Sequence, residues 1–326
     1  MPKVLIATRT FGKYSQEPLE LLRKYSFEIL IYEKEVLPET LGDVDALIVG
    51  TPKVTRDILA NSNLKIIAKH GVGVDNIDLK AATELGIPVT VTPGANTESV
   101  AELTIGLIFV LARNIVSTHI ELFQEHSWHG NVGIEIYGKV LGLVGFGAIA
   151  REVNKRAACL GMKVIAYDPY VPAKEIQNAG AKPAILEEVL QLSDFVSIHV
   201  PLTEETKGLI GEKELRQMKR SAFLINTARG GIVDEEALAT ALKEGWISGA
   251  ALDVFSQEPP NFDSPLFGCN NLVTTPHMGA HTIEAVYRMN IMAAQAVIDF
   301  FQGRIPKHVV NQEVLSKLLK AKGSSL

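Results

Sequence analysis

Short apolar runs alternate with segments of helical periodicity along the first hundred residues. Apolar runs bounded by turn residues are typical of buried strands, and apolar positions that recur at helical spacing indicate helices. The predicted strands are Val4–Ala7, Ile29–Tyr32, Ala46–Val49, Ile66–Ala68 and Val89–Val91. The predicted helices are Pro18–Tyr25, Thr55–Ala60 and Leu79–Leu85. This alternation predicts an α/β domain whose parallel sheet is covered on both faces.

A longer apolar segment covers Glu98–Phe123. It predicts one long helix, with Thr97 as its N-cap and Glu98 in its first turn. Because the segment is apolar nearly all round, we expect this helix to be buried between domains or between subunits.

Strands and helices alternate again in the second half of the chain. The predicted strands are Val140–Val144, Val164–Tyr167, Phe195–His199, Ala222–Asn226, Gly249–Val254 and Leu272–Thr274, and a last helix covers Glu284–Phe301. This second set begins too late for an N-terminal domain, so we expect it to interrupt the first one. The predicted division is a domain of residues 98–283 inserted into a domain of residues 1–97 and 284–326.

Composition narrows the class of protein. The chain has 326 residues, of which 47% are hydrophobic, and this suits two domains of ordinary size. A net charge of −5 argues against a nucleic-acid partner, and the lack of a long apolar run argues against a membrane span. Two widely separated cysteines and a start without a leader sequence favour a cytoplasmic protein, and no metal site is expected.

A glycine-rich turn joins two predicted strands between Gly138 and Asp168. Gly145 permits a tight turn and Gly147 a close approach to a pyrophosphate, which the following helix N-terminus would hold. Asp168 ends the second strand, where a carboxylate can accept the ribose hydroxyls of NAD and repel the 2′-phosphate of NADP. The third glycine of the fingerprint is replaced by Ala150. We therefore predict NAD binding; a glycine-rich turn in some other α/β domain is the alternative.

Three later stretches follow predicted strands and carry an arginine, a glutamate and a histidine. They are NTARGG with Arg229, QEPP with Glu258, and PHMGAHT with His277. The carboxyl ends of parallel strands are where ligands bind, so together these residues predict a catalytic set. Taken singly, each has a structural explanation, such as a surface ion pair or a helix cap.

Several motifs resemble those of the D-isomer-specific 2-hydroxyacid dehydrogenases, on the phosphoglycerate dehydrogenase side of that family. They are HGVGVDNID at 70–78, GANTESVAELTIGL at 94–107, the glycine-rich unit, NTARGGIVDEEAL at 226–238, ALDVF with QEPP, and TPHMGAHT at 275–282. The resemblance extends to about Asn311. It implies two doubly wound parallel-sheet domains, with a Rossmann NAD-binding domain inserted into a flavodoxin-like substrate domain. It also implies a homodimer.

The resemblance also implies site residues. The catalytic residues would be Arg229, Glu258 and His277. The cofactor-binding residues would be Gly145, Gly147, Ala148, Ile149, Asp168, Val200, Thr227, Ala228 and Asp253. The substrate-binding residues would be Val72, Gly73, Val74 and Arg229, and Lys69 is added to them because it lies just before this loop. In this assignment His277 exchanges a proton with the substrate, Glu258 orients its imidazole, and Arg229 grips a carboxylate. His281, one helical turn away, is interpreted as structural.

The substrate is the open point. Phosphoglycerate-using relatives often carry arginines where this chain has Val49 and Lys69, and the chain ends without the regulatory extension that some of them have. A 3-phosphoglycerate dehydrogenase-like enzyme is the leading hypothesis, and a hydroxypyruvate or glyoxylate reductase is the alternative. A NADH-responsive corepressor-like binding protein is the alternative from another class. A formate dehydrogenase finds no support in the motifs.

Overall fold

The computed structural model describes residues 1–32, 36 and 40–315. The chain forms two compact units, and the first is discontinuous. It contains Met1–Asn96 and the segment from His281 onward, whereas Thr97–Ala280 form the second. The chain leaves and re-enters the first unit within three residues of the predicted positions.

The first unit is built on a five-stranded parallel sheet in the order β2-β1-β3-β4-β5. Its strands are β1 (Lys3–Ala7), β2 (Glu28–Ile31), β3 (Ala46–Val49), β4 (Ile66–Lys69) and β5 (Val89–Thr90). Its helices are α1 (Glu17–Lys24), α2 (Arg56–Ala60), α3 (Leu79–Glu84) and the final α11 (Ile283–Phe301). The order is that of the flavodoxin-like fold.

Burial explains the continuous apolar runs of this sheet. Every residue of β3 and β4 is buried, because helices cover both faces of a parallel sheet. The final helix α11 buries Ala293, Ala294, Val297 and Ile298 against one face, in a cluster with Val4 and Ile6 of β1. The last helix therefore completes the core that the first strand begins.

The second unit contains a seven-stranded parallel sheet in the order β12-β11-β10-β9-β6-β7-β8. Its strands are β6 (Val140–Val144), β7 (Lys163–Tyr167), β8 (Lys182–Pro183), β9 (Phe195–Ile198), β10 (Phe223–Asn226), β11 (Gly249–Leu252) and β12 (Leu272–Thr274). Its helices are α4 (Thr97–Ala112), α5 (Ile115–Gln124), α6 (Ala148–Cys159), α7 (Ala173–Asn178), α8 (Leu186–Leu192), α9 (Glu212–Gln217) and α10 (Glu235–Lys243). The strand order is that of the Rossmann fold, so the predicted fold class is confirmed.

The prediction of a single long helix over Glu98–Phe123 is wrong. Two helices, α4 and α5, meet at an angle of 61°. The chain turns at Asn114, whose φ of 53° lies in the left-handed region that asparagine tolerates. The predicted burial holds for much of α4, but α5 has no buried residue.

The α4–α5 pair is also the only feature of the described chain with the length and apolarity of a membrane span. No single helix among the described residues meets that test, and the pair meets it only when its two bent halves are taken together. Ala101, Leu107, Ile108 and Leu111 of α4 are buried in a core cluster of the second unit.

Candidate functional site

The glycine-rich turn follows β6, the strand near the middle of the second sheet. Gly145 has a φ of +97°, and a Cβ there would lie 2.8 Å from the carbonyl of His199. Only glycine fits, because the turn passes directly over the end of β9. A Cβ at Gly147 would meet no described atom within 4 Å, so the backbone there borders open space.

Helix α6 begins in that open space. Its N-cap is Gly147, which has no side chain with which to satisfy the first amides of the helix. Ala148 is exposed and Ile149 half-buried, whereas Ala150, at the third glycine position, is fully buried in the core. Open N-terminal amides of a twelve-residue helix are suited to a pyrophosphate.

Asp168 follows β7, beside the turn. Its Oδ2 accepts a hydrogen bond from the Phe146 amide at 2.8 Å, and its Oδ1 accepts from the amides of Tyr170 at 2.8 Å and Val171 at 3.1 Å. The carboxylate is thereby fixed at the end of β7 next to the glycine-rich turn. Together with the helix terminus, this geometry fits the ribose and pyrophosphate of a dinucleotide.

Three further predicted cofactor contacts end neighbouring strands. Val200 follows β9, and its Cγ1 would lie 3.0 Å from a Cβ at Gly145. The Thr227 hydroxyl lies 2.9 Å from that of Thr104. Since the Thr104 hydroxyl donates its only proton to a backbone carbonyl of α4, Thr227 is the donor between them. The proton of the Thr227 hydroxyl is therefore committed to Thr104.

Arg229 is placed by two local features that sequence reasoning missed. Asn226 forms an Asx-type turn, in which its Oδ1 accepts from the Ala228 amide and its Nδ2 donates to the Arg229 carbonyl. A Cβ at Gly230 would lie 1.9 Å from the carbonyl of Phe255. This close approach brings the segment that carries Arg229 against the one that leads to Glu258.

Glu258 and His277 form a hydrogen-bonded pair. Glu258 Oε2 lies 2.7 Å from His277 Nδ1, and Glu258 Oε1 accepts from the Phe255 amide at 3.1 Å. Burial raises the pKa of the Glu258 carboxyl, but the hydrogen bond and charge of His277 lower it. The Phe255 amide and the Arg229 charge act in the same direction, and the net result is a pKa below the ordinary value. The structure thus brings the three predicted catalytic residues together.

The turn that carries His277 is held by Asp253, the first residue after β11. The Asp253 carboxylate accepts from the Thr275 hydroxyl at 2.6 Å and from the amides of Met278 and Gly279, each at 2.8 Å. The Asp253 carbonyl also accepts from the His277 amide at 2.8 Å. With 1% of its surface exposed, Asp253 supports the left-handed turn at His277. Sequence reasoning missed this support, although an aspartate after a strand was its visible signal.

The predicted substrate loop lies in the first unit, after β4. Gly71 has a φ of +144° and exchanges hydrogen bonds with the Thr92 hydroxyl through both its amide and its carbonyl. Within the described residues, the amides of Val72, Gly73 and Val74 donate to no acceptor. Consecutive open amides in a loop form a concavity suited to an anion.

Lys69 does not extend outward from this loop. It is 8% exposed, and its Nζ donates to the Gly50 carbonyl at 2.5 Å and to Asn76 Oδ1 at 2.7 Å. Asn76 in turn donates to the carbonyls of Gly50 and Pro52. These bonds join the segments after β3 and β4, and they favour an internal role for Lys69 over the predicted substrate contact.

In the described ranges, no group of three or more histidine, cysteine, aspartate or glutamate residues is arranged to hold a metal ion.

Comparisons with known proteins agree with this geometry. The family model described as "D-isomer specific 2-hydroxyacid dehydrogenase, NAD binding domain" matches residues 105–279. The D-3-phosphoglycerate dehydrogenase of Methanocaldococcus jannaschii is 45% identical over 87% of this chain, which spans only 56% of that enzyme's length. The glyoxylate reductase of Thermococcus litoralis is 42% identical over 97% of this chain and 98% of its own length. Among solved structures, the NAD-dependent formate dehydrogenase of Staphylococcus aureus in complex with NAD superposes with a TM-score of 0.83. It is 30% identical and covers 92% of this chain and 96% of its own.

Proposed function

The chain belongs to the D-isomer specific 2-hydroxyacid dehydrogenase family, and on that premise we propose that it interconverts a D-2-hydroxy acid and its 2-keto acid with NAD. The observation that carries the proposal is the 2.7 Å pair of Glu258 and His277 beside Arg229. When bound, NADH would supply the hydride for reduction and NAD⁺ would accept it in oxidation. Its pyrophosphate would be held at the N-terminus of α6 and its ribose at Asp168.

The proton is assigned to His277. Because the lowered pKa keeps Glu258 ionised at neutral pH, Glu258 Oε2 accepts a hydrogen bond from His277 Nδ1. Nε2 is then the atom that gives a proton to the carbonyl oxygen during reduction and takes one from the hydroxyl during oxidation. Glu258 holds the ring in this tautomer and stabilises its charged form.

Arg229 of the second unit is assigned to the oxygens of the substrate. The planar guanidinium of Arg229 can bind a carboxylate through two parallel hydrogen bonds and polarise an adjacent carbonyl. The open amides of Val72, Gly73 and Val74 suit the carboxylate of the substrate, which the family resemblance assigns to them.

The leading substrate class is short and polar, with 3-phosphohydroxypyruvate as its phosphorylated member. Arg9 follows β1 and Lys53 follows β3, and both are exposed at the carboxyl ends of the first sheet. An apolar side chain there would leave these charges without compensation. The internal hydrogen bonds of Lys69 specifically favour the second candidate, an unphosphorylated acid such as hydroxypyruvate or glyoxylate, because they occupy a cation that a phosphate would need.

A panel of keto acids tests this function. Consumption of NADH is measured with 3-phosphohydroxypyruvate, hydroxypyruvate, glyoxylate and 2-ketoisocaproate, in the unmodified protein and in Arg9→Ala. We expect the polar acids to give higher kcat/KM than 2-ketoisocaproate, and Arg9→Ala to raise KM for the phosphorylated acid alone. Arg23→Ala, an exposed arginine in the last turn of α1, is the matched control.

Two outcomes of the panel contradict the proposal. If 2-ketoisocaproate, the branched acid, gives the highest kcat/KM of the panel, the proposal of a short, polar substrate is refuted. If the protein binds NADH tightly but turns over no 2-keto acid, the proposed dehydrogenase activity is refuted and the corepressor-like alternative is favoured.

We also propose a homodimer that covers α5 and the segment after it. This region exposes large apolar side chains, including Phe123 at 72% and Trp128 at 88%. Exposed apolar surface of this kind marks an interaction site. Light scattering at micromolar concentration should give about twice the monomer mass of 35.4 kDa, and a mass near 35.4 kDa would refute the dimer.

A further inference from the structure

Two exposed side chains meet beside the glycine-rich turn. The Tyr170 hydroxyl donates a hydrogen bond to Glu205 Oε2 at 2.9 Å. Tyr170 follows β7 and Glu205 follows β9, and these two strands pair with β6 on either side. The contact therefore joins the two chain segments that border the turn.

The Tyr170 side of this contact is fixed by Asp168. The Asp168 carboxylate accepts hydrogen bonds from the Tyr170 and Val171 amides and from the Phe146 amide of the turn. The residue assigned to the ribose therefore also sets the position of the Tyr170 backbone. Asp168 accepts a hydrogen bond from the Tyr170 amide, and Glu205 accepts one from the Tyr170 hydroxyl.

The Glu205 side is fixed by a compact turn. The Thr206 hydroxyl donates to the Pro201 carbonyl at 2.6 Å and accepts from the Thr203 amide at 2.8 Å. The Lys207 amide donates to the Thr203 carbonyl at 2.9 Å. The backbone that carries Glu205 is thus held in a hydrogen-bonded turn. The hydrogen bond from the Tyr170 hydroxyl then places the Glu205 carboxylate.

The negative charges of Glu205 and Asp168 both act on the Tyr170 hydroxyl. The hydrogen bond to Glu205, followed by its negative charge, raises the pKa of Tyr170, so the hydroxyl remains a donor at neutral pH. Helix α6 contributes a cation, Arg151, which is paired with Glu175 at 3.0 Å.

We propose that Tyr170 holds the Glu205 carboxylate as a second anionic determinant beside Asp168, and that the two carboxylates together select NAD against NADP. This inference rests on the proposed function, because it takes Asp168 to face the adenosine ribose. A 2′-phosphate brings close to two negative charges, and its repulsion by a fixed carboxylate is felt over roughly a Debye length, about 8 Å at physiological salt. Glu205 is a specificity-determining residue in this account, and Tyr170 is its positioning residue.

Dissociation constants for NADH and NADPH, measured by calorimetric titration, test this assignment without any turnover. Glu205→Gln keeps an acceptor for Tyr170 but removes the charge, so the NADPH-to-NADH ratio of Kd should fall about three- to tenfold at low salt. Tyr170→Phe frees the carboxylate to move into solvent and should lower the ratio by a smaller factor. At about 0.5 M salt the effect of Glu205→Gln should shrink, because screening weakens a charge effect and leaves a packing effect unchanged.

A matched pair elsewhere in the chain provides the control. The Tyr287 hydroxyl donates to Glu17 Oε2 at 2.7 Å, also between exposed side chains, in the first unit. Glu17→Gln should leave the Kd ratio unchanged. A ratio that stays within about twofold in Glu205→Gln, or a change that is equal at low and high salt, overturns the inference. Failure of the unmodified protein to bind NADH overturns the proposed function and this inference with it.

Discussion

Replacing Asp253 with asparagine perturbs the support of the His277 turn while keeping the size of the side chain. The aspartate carboxylate accepts one hydroxyl and two amide hydrogen bonds from the turn. The side-chain oxygen of asparagine can accept the hydrogen bonds that one of the two carboxylate oxygens accepts in Asp253. The NH₂ group of asparagine replaces the other carboxylate oxygen, and there it faces hydrogen-bond donors. At least one charge-assisted hydrogen bond is lost, and a buried N–H is left opposite another donor.

The size of the effect follows from these contacts. A hydrogen bond to a charged group contributes about 1.5–3 kcal/mol, and an unsatisfied buried donor costs about 1–3 kcal/mol. Because Asp253 is almost fully buried, little of this is recovered from solvent. We expect Asp253→Asn to lower the free energy of unfolding by about 3 kcal/mol. Turnover should fall about a hundredfold, since displacing a reacting group by about 1 Å has that effect.

Urea unfolding and kcat for 2-keto acid reduction measure the two consequences. Thr275→Val is the graded control, because it removes the hydroxyl donor and leaves both amides bonded to Asp253. It should show smaller losses of stability and of turnover. Asp253→Asn with an unchanged unfolding midpoint and kcat within about threefold of the unmodified enzyme would refute this account of the turn.

Three further predictions concern other parts of the second unit. Burial lowers the pKa of His199 from 6.5 to about 4. Between these two pH values, the unfolded chain therefore binds a proton at His199 that the folded chain does not bind. The contribution of His199 to stability should be full above pH 6.5 and fall by roughly 3 kcal/mol as the pH drops to about 4. His199→Gln should weaken the pH dependence of the urea midpoint without abolishing it, because burial also lowers the pKa of His70 to about 4, and an unchanged dependence would contradict the prediction. Gly230→Ala should leave little folded enzyme by circular dichroism, because its Cβ would lie 1.9 Å from the Phe255 carbonyl, and a normal unfolding curve would contradict this. Glu258→Gln should lower kcat for reduction, because an amide replaces the carboxylate that accepts the 2.7 Å hydrogen bond from the His277 ring; an unchanged kcat would contradict that positioning role.

Much of the fold was predictable because a parallel sheet buried on both faces leaves a simple pattern. The apolar runs located eleven of the strands to within two residues of their observed bounds. The short strand β8 (Lys182–Pro183) was missed, since two residues at the border of a sheet carry no apolar run. The sequence pattern also did not show the break at Asn114, because apolar positions recur before and after Arg113 and Asn114 and the left-handed φ of Asn114 leaves no mark in that pattern.

The candidate site was predictable where the side chains themselves carry the chemistry. Arg229, Glu258 and His277 each follow a strand, and the sheet brings them together. The supporting contacts were not predictable, because they depend on which backbone amides a carboxylate or hydroxyl meets in three dimensions. Asp253 is predicted at the cofactor from its place after a strand, and the pattern does not show that its carboxylate is bonded to the turn. Lys69 was expected at the substrate and is bonded to Gly50 and Asn76.

The central claim is that His277 transfers the proton in a NAD-dependent reduction of a 2-keto acid. Its most direct test is kcat for hydroxypyruvate with NADH in the unmodified enzyme, in His277→Ala and in His281→Ala, with NADH affinity titrated in parallel. The account predicts that His277→Ala lowers kcat by roughly 10² to 10⁴ while NADH still binds, and that His281→Ala retains most of the turnover. Near-normal turnover in His277→Ala, together with its loss in His281→Ala, would contradict the account.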